Sequence, residues 1–271
     1  MSKVAVLMCM AAAADRELAF KALKSTADCL TDEDAIFFLI DGASTIDEKP
    51  FRDMCGRVRV RFFYSARQQG LAAGLNRLIE AVLQESCWDY LARMDADDMC
   101  LPGRFDKQRQ FLDENTEVDI LGGLCYEVDE YGNHLRTKYL PLTHEEIISR
   151  LPKRNPINHP TVVMRRSVFE SGIRYRTNVG LVEDWQLWID CAVSGFRFAN
   201  LGEVVLRFRR GGDFFKKRGG LRLARAEWRV RLQAMKRLKK FSILNFLYAA
   251  TSCGLRFCPS GIQSFIYRHL G

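Results

Sequence analysis

The sequence predicts an α/β protein whose parallel sheet is covered by helices on both faces. In the first half of the chain, strand-length apolar runs alternate with segments of helical periodicity, which is the order of repeated βα units. These runs are apolar at successive positions, as in strands that are buried on both sides. The chain has 271 residues and is 48% apolar, so it can bury a sizeable core. Disordered and collagen-like chains are excluded.

Four strands and three helices are predicted before residue 115. The strands are uninterrupted apolar runs, and the helices carry apolar residues at spacings of three and four. The second strand, AIFFLI, stops at the turn pair Asp41–Gly42, and Pro102 suits the first turn of the third helix. The predicted strands cover 4–10, 35–40, 58–63 and 90–94, and the predicted helices cover 16–30, 70–83 and 104–113.

The second half of the chain has a mixed α+β pattern. Strands at 120–128 and 134–139 flank the turn sequence YGN at 131–133, which is typical of a hairpin. A short helix at 143–151 and a strand at 161–164 follow. We expect this half to cover the first.

The positive charge is concentrated near the C-terminus. The formal net charge is +8, and the segment 206–240 holds fourteen Lys or Arg and two acids. A basic helix is predicted over 221–240, followed by fifteen uncharged residues at 241–255. Because a helix that spans a bilayer needs about 20 apolar residues, this stretch is too short to cross a membrane.

The cysteines and the N-terminus indicate a protein of the cytoplasm. Nine cysteines are scattered along the chain without any C-x-x-C pair, which argues against a zinc ribbon or a disulfide framework. The apolar run at 1–10 lacks a cleavage-type continuation, so it indicates a buried strand and not a signal peptide.

Acidic side chains follow two of the predicted strands. Asp95, Asp97 and Asp98 come directly after the fourth strand, and Asp41 ends the second. In parallel α/β sheets, ligands bind at the carboxyl ends of the strands. Carboxylates this close repel by about 4 kcal/mol per pair unless they are solvated or bridged by a cation. The cluster therefore predicts a Mg²⁺ or Mn²⁺ site for a metal-bound diphosphate. The alternative is an Asx turn that caps the next helix.

A second pair of acids, Glu183 and Asp184, begins a predicted helix. Trp185, Trp188 and Ile189 lie on its apolar face, which places Asp184 in the first turn and away from the core. An acid there could simply interact favourably with the helix dipole, which would stabilise the helix by under about 1 kcal/mol. It could also act as a general base.

Five segments resemble the inverting family 2 glycosyltransferases, particularly the bacterial enzymes that build O-antigen, capsule and exopolysaccharide. The most specific is RMDADD at 93–98, followed by Pro102, Arg104 and Gln108. The resemblance extends over about residues 3–210. It departs from the family at Gln69, where Asn is usual, and at the Ala-rich loop 10–14. The other four segments are IDG at 40–42, QGLAAGLN at 69–76, NHPT at 158–161 and EDWQLW at 183–188.

The resemblance implies a GT-A fold, in which a Rossmann-like nucleotide-sugar-binding sheet is joined to a mixed α+β acceptor half. The catalytic domain would span 1–210, with the donor half at 1–115 and the acceptor half at 116–210. Basic, amphipathic C-terminal helices would occupy 211–271. The donor would be a nucleotide sugar, and a UDP-sugar is the one expected. The implied nucleotide-sugar-binding residues are Asp41, Gly42, Arg67, Asn76, Arg93, Asp95 and Ala96.

By the same resemblance, Asp97 and Asp95 would hold Mn²⁺ or Mg²⁺, and Asp184 with Glu183 would be catalytic. Asp184 would take the proton of an acceptor hydroxyl as it attacks the sugar, and the metal would stabilise the departing diphosphate. One base without a protein nucleophile implies single displacement with inversion. His159 and Trp185 are the expected acceptor-binding residues. The implied acceptor is a saccharide linked to polyprenyl diphosphate at the inner face of the cell membrane.

Two other functions remain open at the level of sequence. A nucleotidyl or phosphoryl transferase could use the same metal-diphosphate site. A nucleic-acid-binding protein could use 206–240, although this segment holds no recognised nucleic-acid motif, so we expect no nucleic-acid partner. The basic segment could also pack on the catalytic domain, or bind an anionic membrane surface and keep the enzyme peripheral there.

Overall fold

The computed structural model describes residues 1–211 and 220–255. Within them, nine strands form one mixed sheet in the order β3-β2-β1-β4-β8-β6-β9-β5, with β7 paired to β6. The strands are β1 (Val4–Ala11), β2 (Ala35–Asp41), β3 (Arg59–Ser65), β4 (Tyr90–Asp95), β5 (Met99–Cys100), β6 (Ile120–Val128), β7 (His134–Lys138), β8 (Val163–Arg165) and β9 (Phe198–Arg209).

Helices cover both faces of the sheet, as the apolar strands predict. One apolar core lies under α3 and α5 to α8, and the other lies under α1, α2 and α4. A short 3₁₀ turn, His159–Thr161, precedes β8. The helices are α1 (Arg16–Ala27), α2 (Lys49–Met54), α3 (Leu71–Leu83), α4 (Arg104–Glu114), α5 (His144–Arg150), α6 (Arg166–Glu170), α7 (Glu183–Val193), α8 (Leu221–Arg237) and α9 (Ile243–Leu255).

The parallel part of the sheet brings the strand-end acids together. Strands β3, β2, β1 and β4 are parallel neighbours, and their register sets Ala11 of β1 beside Asp41 and Cys9 beside Asp95. All seven residues of β2 are buried, because helices pack on both sides of it. The carboxyl ends of β2 and β4 therefore flank β1 at the same edge of the sheet.

The strands of the second half extend the sheet and do not cover it as expected, whereas α6 and the residues that follow it pack over α3. Strand β8 pairs antiparallel with β4 and β6, and β6 pairs in parallel with the long strand β9. Register shifts opposite Gly123 and Leu124 interrupt the β6–β9 pairing. The sheet thus continues past β4, and its second half lies beside the acids at the end of that strand.

Two buried arginines tie these parts together. Arg104 is fully buried and donates from Nη2 to the carbonyls of Arg93 at 2.9 Å and Pro160 at 2.8 Å, which joins β4 to the 3₁₀ turn. Further along the same helix, α4, buried Arg109 pairs with buried Asp34 at 2.9 Å. Asp34 also accepts the N–H of Val4, so this ion pair fixes the beginning of β1.

The basic helix α8 is packed against the preceding part of the chain. Leu223, Val230 and Ala234 belong to the same apolar core as α3 and α7. The helix that follows, α9, is 13 residues long. Among the described helices, none is long and apolar enough to traverse a bilayer. Residues 212–219 and 256–271 of the predicted C-terminal segment lie outside the description.

Candidate active site

Asp41, at the end of β2, organises the turn before α3. Its carboxylate accepts hydrogen bonds from the backbone N–H groups of Gln69 at 2.9 Å and Gly70 at 2.8 Å. The next residue, Gly42, has φ of +101° and donates its N–H to the carbonyl of Ser65. A side chain at this φ would be strained, which explains glycine here. Asp41 and Gly42 thus shape the wall predicted to hold the nucleotide.

The acidic turn after β4 holds its three carboxylates in different ways. Asp95 forms an ion pair with Arg93. Asp98 is buried and accepts the N–H of Arg209 at 2.8 Å through Oδ1, whereas its Oδ2 has no partner within the described chain. Asp97 as a residue is exposed, but the chain around its carboxyl group desolvates that group in part. This desolvation, with the charge of Asp95, raises the pKa of Asp97 to about 6. Ala96, half-buried, completes the turn.

These acids are suited to a metal ion that binds together with the substrate. They do not form a complete set of protein ligands. The described residues contain no cluster of three or more His, Cys, Asp or Glu side chains arranged as a complete metal site. Asp97 nevertheless presents an oxygen donor to solvent beside Asp95. Mg²⁺ typically takes one or two carboxylates and fills its other positions with water and substrate phosphates. The donor set at Asp95 and Asp97 is of that kind.

Arg93 lies at the centre of the candidate site. Its side chain is buried, and among the described residues its Nε and Nη1 have no hydrogen-bond acceptor. Burial opposes the charge of this guanidinium, but the charge of Asp95 outweighs it and raises the pKa of Arg93. A permanently charged, buried donor with two unused N–H groups can bind oxygens of an anionic ligand.

Helix α7 brings its two acids to the same place. Asp184 accepts hydrogen bonds from Asn155 Nδ2 at 2.6 Å and from the N–H of Trp185 at 2.7 Å. Burial, followed by the charge of Asp184, raises the pKa of Glu183 to about 7. Arg93 lowers this pKa and Asp95 raises it. Residues about 90 positions apart in sequence therefore form one electrostatic site.

His159 and Asn76 both engage Tyr175. His159 Nε2 is hydrogen-bonded to the Tyr175 hydroxyl at 2.7 Å, and burial, with the charge of Arg93, lowers the pKa of His159 well below its usual value. The Asn76 amide bonds to the carbonyl and the N–H of Tyr175 at 2.8 and 2.9 Å. Both side chains hold the wall of the site, whereas Arg67 is exposed and its side chain makes no hydrogen bond or ion pair within the described chain.

Trp185 does not stack on an acceptor, so that expectation was wrong. The ring is only 4% exposed, its Nε1 donates to the carbonyl of Leu151 at 2.9 Å, and the guanidinium carbon of Arg231 lies 5.0 Å from the ring centroid. Both the polar edge and a face of the indole are occupied. The residue packs α7 against its neighbours.

The structure adds residues that sequence reasoning missed. Asn155 orients Asp184, Tyr175 bonds to His159, and the N–H of Arg209 holds Asp98. None of them lies in a periodic apolar pattern, and none is next to an acidic motif. Only the proximity of Asn155 to the NHPT segment could have pointed to it.

The segment from α1 to the end of α6 has a known counterpart. Residues 19–173 match the family described as glycosyl transferase family 2. The chain belongs to this family. The family 2 resemblance drawn from the motifs is thereby confirmed, and the chain is a glycosyltransferase.

Family 2 relatives match most of the chain. It is 34% identical over 196 residues, 72% of either chain, to the amylovoran biosynthesis glycosyltransferase AmsE of Erwinia amylovora. It is 26% identical over 251 residues to the UDP-Gal:alpha-D-GlcNAc-diphosphoundecaprenol beta-1,3-galactosyltransferase of Escherichia coli. That alignment covers 92% of this chain and 89% of the relative.

Solved structures share the GT-A fold of this family 2 chain. S. aureus TarS 1-349, in complex with UDP-GlcNAc, matches with a TM-score of 0.62 at 15% identity, over 90% of this chain and 74% of that one. The mannosyltransferase PcManGT from Pyrobaculum calidifontis, in complex with GDP-Man and Mn²⁺, matches with a TM-score of 0.57 at 14% identity. That match covers 98% of this chain and 85% of the other. The predicted fold class is confirmed.

Proposed function

We propose that this glycosyltransferase moves a sugar from a UDP-sugar to a hydroxyl of a lipid-linked saccharide during synthesis of a bacterial cell-surface polysaccharide. The observation that carries the proposal is buried Arg93, which is ion-paired with Asp95, keeps two N–H groups without an acceptor among the described residues, and lowers the pKa of Glu183 in α7. The name of the E. coli galactosyltransferase supports the acceptor class, and the name of AmsE supports a biosynthetic glycosyltransferase. TarS with UDP-GlcNAc supports the donor class.

The donor occupies the carboxyl edge of β1, β2 and β4 in this proposal. The turn that Asp41 holds forms one wall, and Arg93 with Asp95 forms the floor. Arg67 has an unengaged guanidinium at this edge for a phosphate or ribose oxygen. The proposed donor-binding residues are Asp41, Gly42, Arg67, Asn76, Arg93, Asp95 and Ala96.

Asp97, with Asp95, would hold Mn²⁺ or Mg²⁺ together with the donor diphosphate. When bound, the metal supplies positive charge that stabilises the departing nucleoside diphosphate. The positive charge of the metal would lower the pKa of Asp97, whereas the negative charge of Asp95 raises it. The bound metal would therefore favour the deprotonated carboxylate.

Asp184 is the proposed general base. Hydrogen bonds from Asn155 and from the Trp185 N–H fix both carboxylate oxygens in place. From this position Asp184 takes the proton of the acceptor hydroxyl while that oxygen attacks the anomeric carbon. One base opposite the leaving diphosphate gives a single displacement with inversion. Glu183, with a pKa of about 7, lies next to it and adjusts the charge of the site.

Donor binding tests the site directly. In calorimetric titrations with UDP, GDP and UDP-sugars, we expect binding of one nucleotide class that requires Mn²⁺ or Mg²⁺ and weakens at least about tenfold in Asp97→Asn. Asp106→Asn, which removes an exposed acid from the first turn of α4, should bind as the wild type does. A nucleotide affinity that changes neither on addition of EDTA nor in Asp97→Asn would contradict the metal assignment.

We also propose that α8 and α9 attach the enzyme peripherally to the inner face of the cell membrane. Five apolar side chains just before and within the first turns of α9 are exposed: Phe241, Ile243, Leu244, Phe246 and Leu247. Exposed basic residues of α8, including Arg222, Arg225 and Arg229, lie on the preceding helix. Each basic residue near an anionic leaflet contributes about 1 kcal/mol, and apolar side chains can enter the headgroup region without spanning it.

Co-sedimentation with vesicles tests the attachment. We expect the protein to sediment with phosphatidylglycerol-containing vesicles, less with pure phosphatidylcholine and less at high salt. The triple variant Phe241→Ser, Leu244→Ser and Leu247→Ser should reduce binding by at least about tenfold. Tyr131→Ser with Tyr139→Ser, which removes exposed apolar side chains elsewhere, is the matched control. Equal sedimentation of both variants would overturn this proposal.

A further inference from the structure

Helix α8 carries a buried ion pair on the face that meets the acceptor half. Arg231 and Glu227 are both buried, and Arg231 Nη1 donates to Glu227 Oε2 at 3.1 Å. Apolar packing by Leu223, Val230 and Ala234 already secures the helix to the core. A buried ion pair is weak evidence for stability, because desolvation offsets most of its attraction. The position of this pair therefore requires another explanation.

Arg231 contacts the segment that leads to Asp184. Its Nε donates to the carbonyl of Lys153 at 2.8 Å. Two residues further on, Asn155 uses both ends of its amide: Nδ2 donates to Asp184 Oδ2, and Oδ1 accepts the N–H of Ile157. Movement of the Lys153 backbone would thus move the amide that orients Asp184.

A second route from Arg231 to Asp184 passes through Trp185. The guanidinium lies over the indole ring at 5.0 Å, a favourable cation–π distance. The backbone N–H of the same tryptophan donates to Asp184 Oδ1, and its Nε1 bonds to Leu151 at the start of the same segment. Both carboxylate oxygens of Asp184 are therefore held by groups that Arg231 contacts directly or at one remove.

We propose that Arg231, kept in place by Glu227, is a positioning residue for Asp184. It does not touch substrate. It clamps Trp185 and the 151–155 segment together, and this fixes the orientation of the carboxylate at the beginning of α7. The inference rests on the proposed role of Asp184 as the base, and it makes α8 part of the catalytic apparatus rather than a separate appendage.

Steady-state kinetics of Arg231→Met, with the donor found by calorimetry, tests the clamp. Because small misplacements of a catalytic group slow a reaction strongly, we expect kcat to fall about 10- to 100-fold, while the donor KM and Kd stay within about twofold. Arg231→Lys keeps one donor but not the planar stacking fork, so it should recover part of kcat. Asn155→Ala combined with Arg231→Met should be no slower than the slower single variant, because both act on the same carboxylate.

Two matched controls separate positioning from general destabilisation. Gln233→Met removes an exposed polar side chain from the same helix, and Arg109→Met breaks the buried pair with Asp34 on the other side of the sheet. Both should keep the wild-type kcat per folded molecule. If Arg231→Met fails to fold, the double variant Glu227→Gln with Arg231→Met, which leaves no unpaired buried charge, takes its place in the same comparison.

The outcomes distinguish this inference from the function on which it rests. If Asp184→Asn keeps full activity, the base assignment is wrong and the clamp falls with it. If Asp184→Asn is inactive but Arg231→Met, or its double variant, keeps the wild-type kcat, only the clamp is wrong. A fall in kcat equal to that of Arg109→Met would also overturn it, since destabilisation alone would then explain the loss.

Discussion

Replacement of Asp184 by Asn should lower kcat for sugar transfer by about 10²- to 10⁴-fold, the usual contribution of a general base. The amide matches the carboxylate in size but cannot take a proton from the acceptor hydroxyl. Donor binding should be retained, because the proposed donor contacts come from β2, β4 and their following turns, from the loop after β3 and from α3, and none of them lies in α7. The measurement is kcat for transfer together with the donor Kd from calorimetry.

The neighbours of Asp184 provide the controls for this variant. Asn155→Ala removes one hydrogen bond to the carboxylate but leaves the base, so its loss of activity should be smaller. Asp190→Asn changes an acid later in the same helix that pairs with Arg176 and Arg237, and kcat per folded molecule should be unchanged. Transfer by Asp184→Asn within tenfold of the wild type would exclude Asp184 as the base.

The sequence predicts the parallel half of the fold well because its signals are local. Runs such as AIFFLI are buried on both faces, and the observed strand, Ala35–Asp41, differs from the prediction by one residue. Helix α3 begins one residue later than predicted, at Leu71 after Gly70. In these units the apolar pattern and the turn residues agree, so the local sequence is sufficient.

Elements that depend on distant partners were missed. Strand β9 has twelve residues, but its exposed stretch at Gly202 and Glu203 interrupts the apolar pattern, and its place between β6 and β5 depends on irregular pairing. Strand β5 has only two residues, Met99 and Cys100. Periodicity cannot show that the second half extends the sheet, because strand order is set by long-range pairing.

The candidate site likewise contains residues that the local sequence reveals and residues that depend on distant contacts. The acids at 95–98 follow a strand and are recognisable from their motif, but the approach of α7 to Arg93 depends on the whole acceptor half. Helical spacing could not distinguish a packed Trp185 from an exposed one, since either gives the same pattern. No local sequence pattern marks Asn155 or Tyr175 as site residues, because the residues they bond to, Asp184 and Asn76, lie far away along the chain.

Replacement of Glu183 by Gln should stabilise the protein at neutral pH. Burial and the charge of Asp184 raise the pKa of Glu183 from 4.5 to about 7, so the native state keeps a proton that the unfolded chain has already released. The contribution of Glu183 to the stability of the wild type is therefore greatest below about pH 4.5 and declines as the pH rises to about 7. The amide introduced by Glu183→Gln does not titrate, and the variant should gain on the order of 3 kcal/mol at pH 8 relative to the wild type.

Urea unfolding at several pH values measures this difference. The gain should be greatest at pH 8, shrink through pH 6 and vanish near pH 4.5. Glu145→Gln is the matched control, because Glu145 also lies in the first turn of a helix but its pKa is lowered by its own backbone N–H. That substitution should therefore be slightly destabilising at pH 8. A gain for Glu183→Gln that did not depend on pH would contradict the linkage.

The expected pH dependence also bears on why an unpaired acid is kept at the beginning of α7. Glu183 Oε2 is buried without a hydrogen-bond partner in the described chain, and Asp184 beside it adds to the repulsion. Removing the charge of Asp184 should lower the pKa of Glu183. We therefore expect Asp184→Asn to weaken the pH dependence of stability and also to lower kcat. If Asp184→Asn gains stability while it loses transfer activity, the pair of carboxylates is kept for catalysis and not for folding.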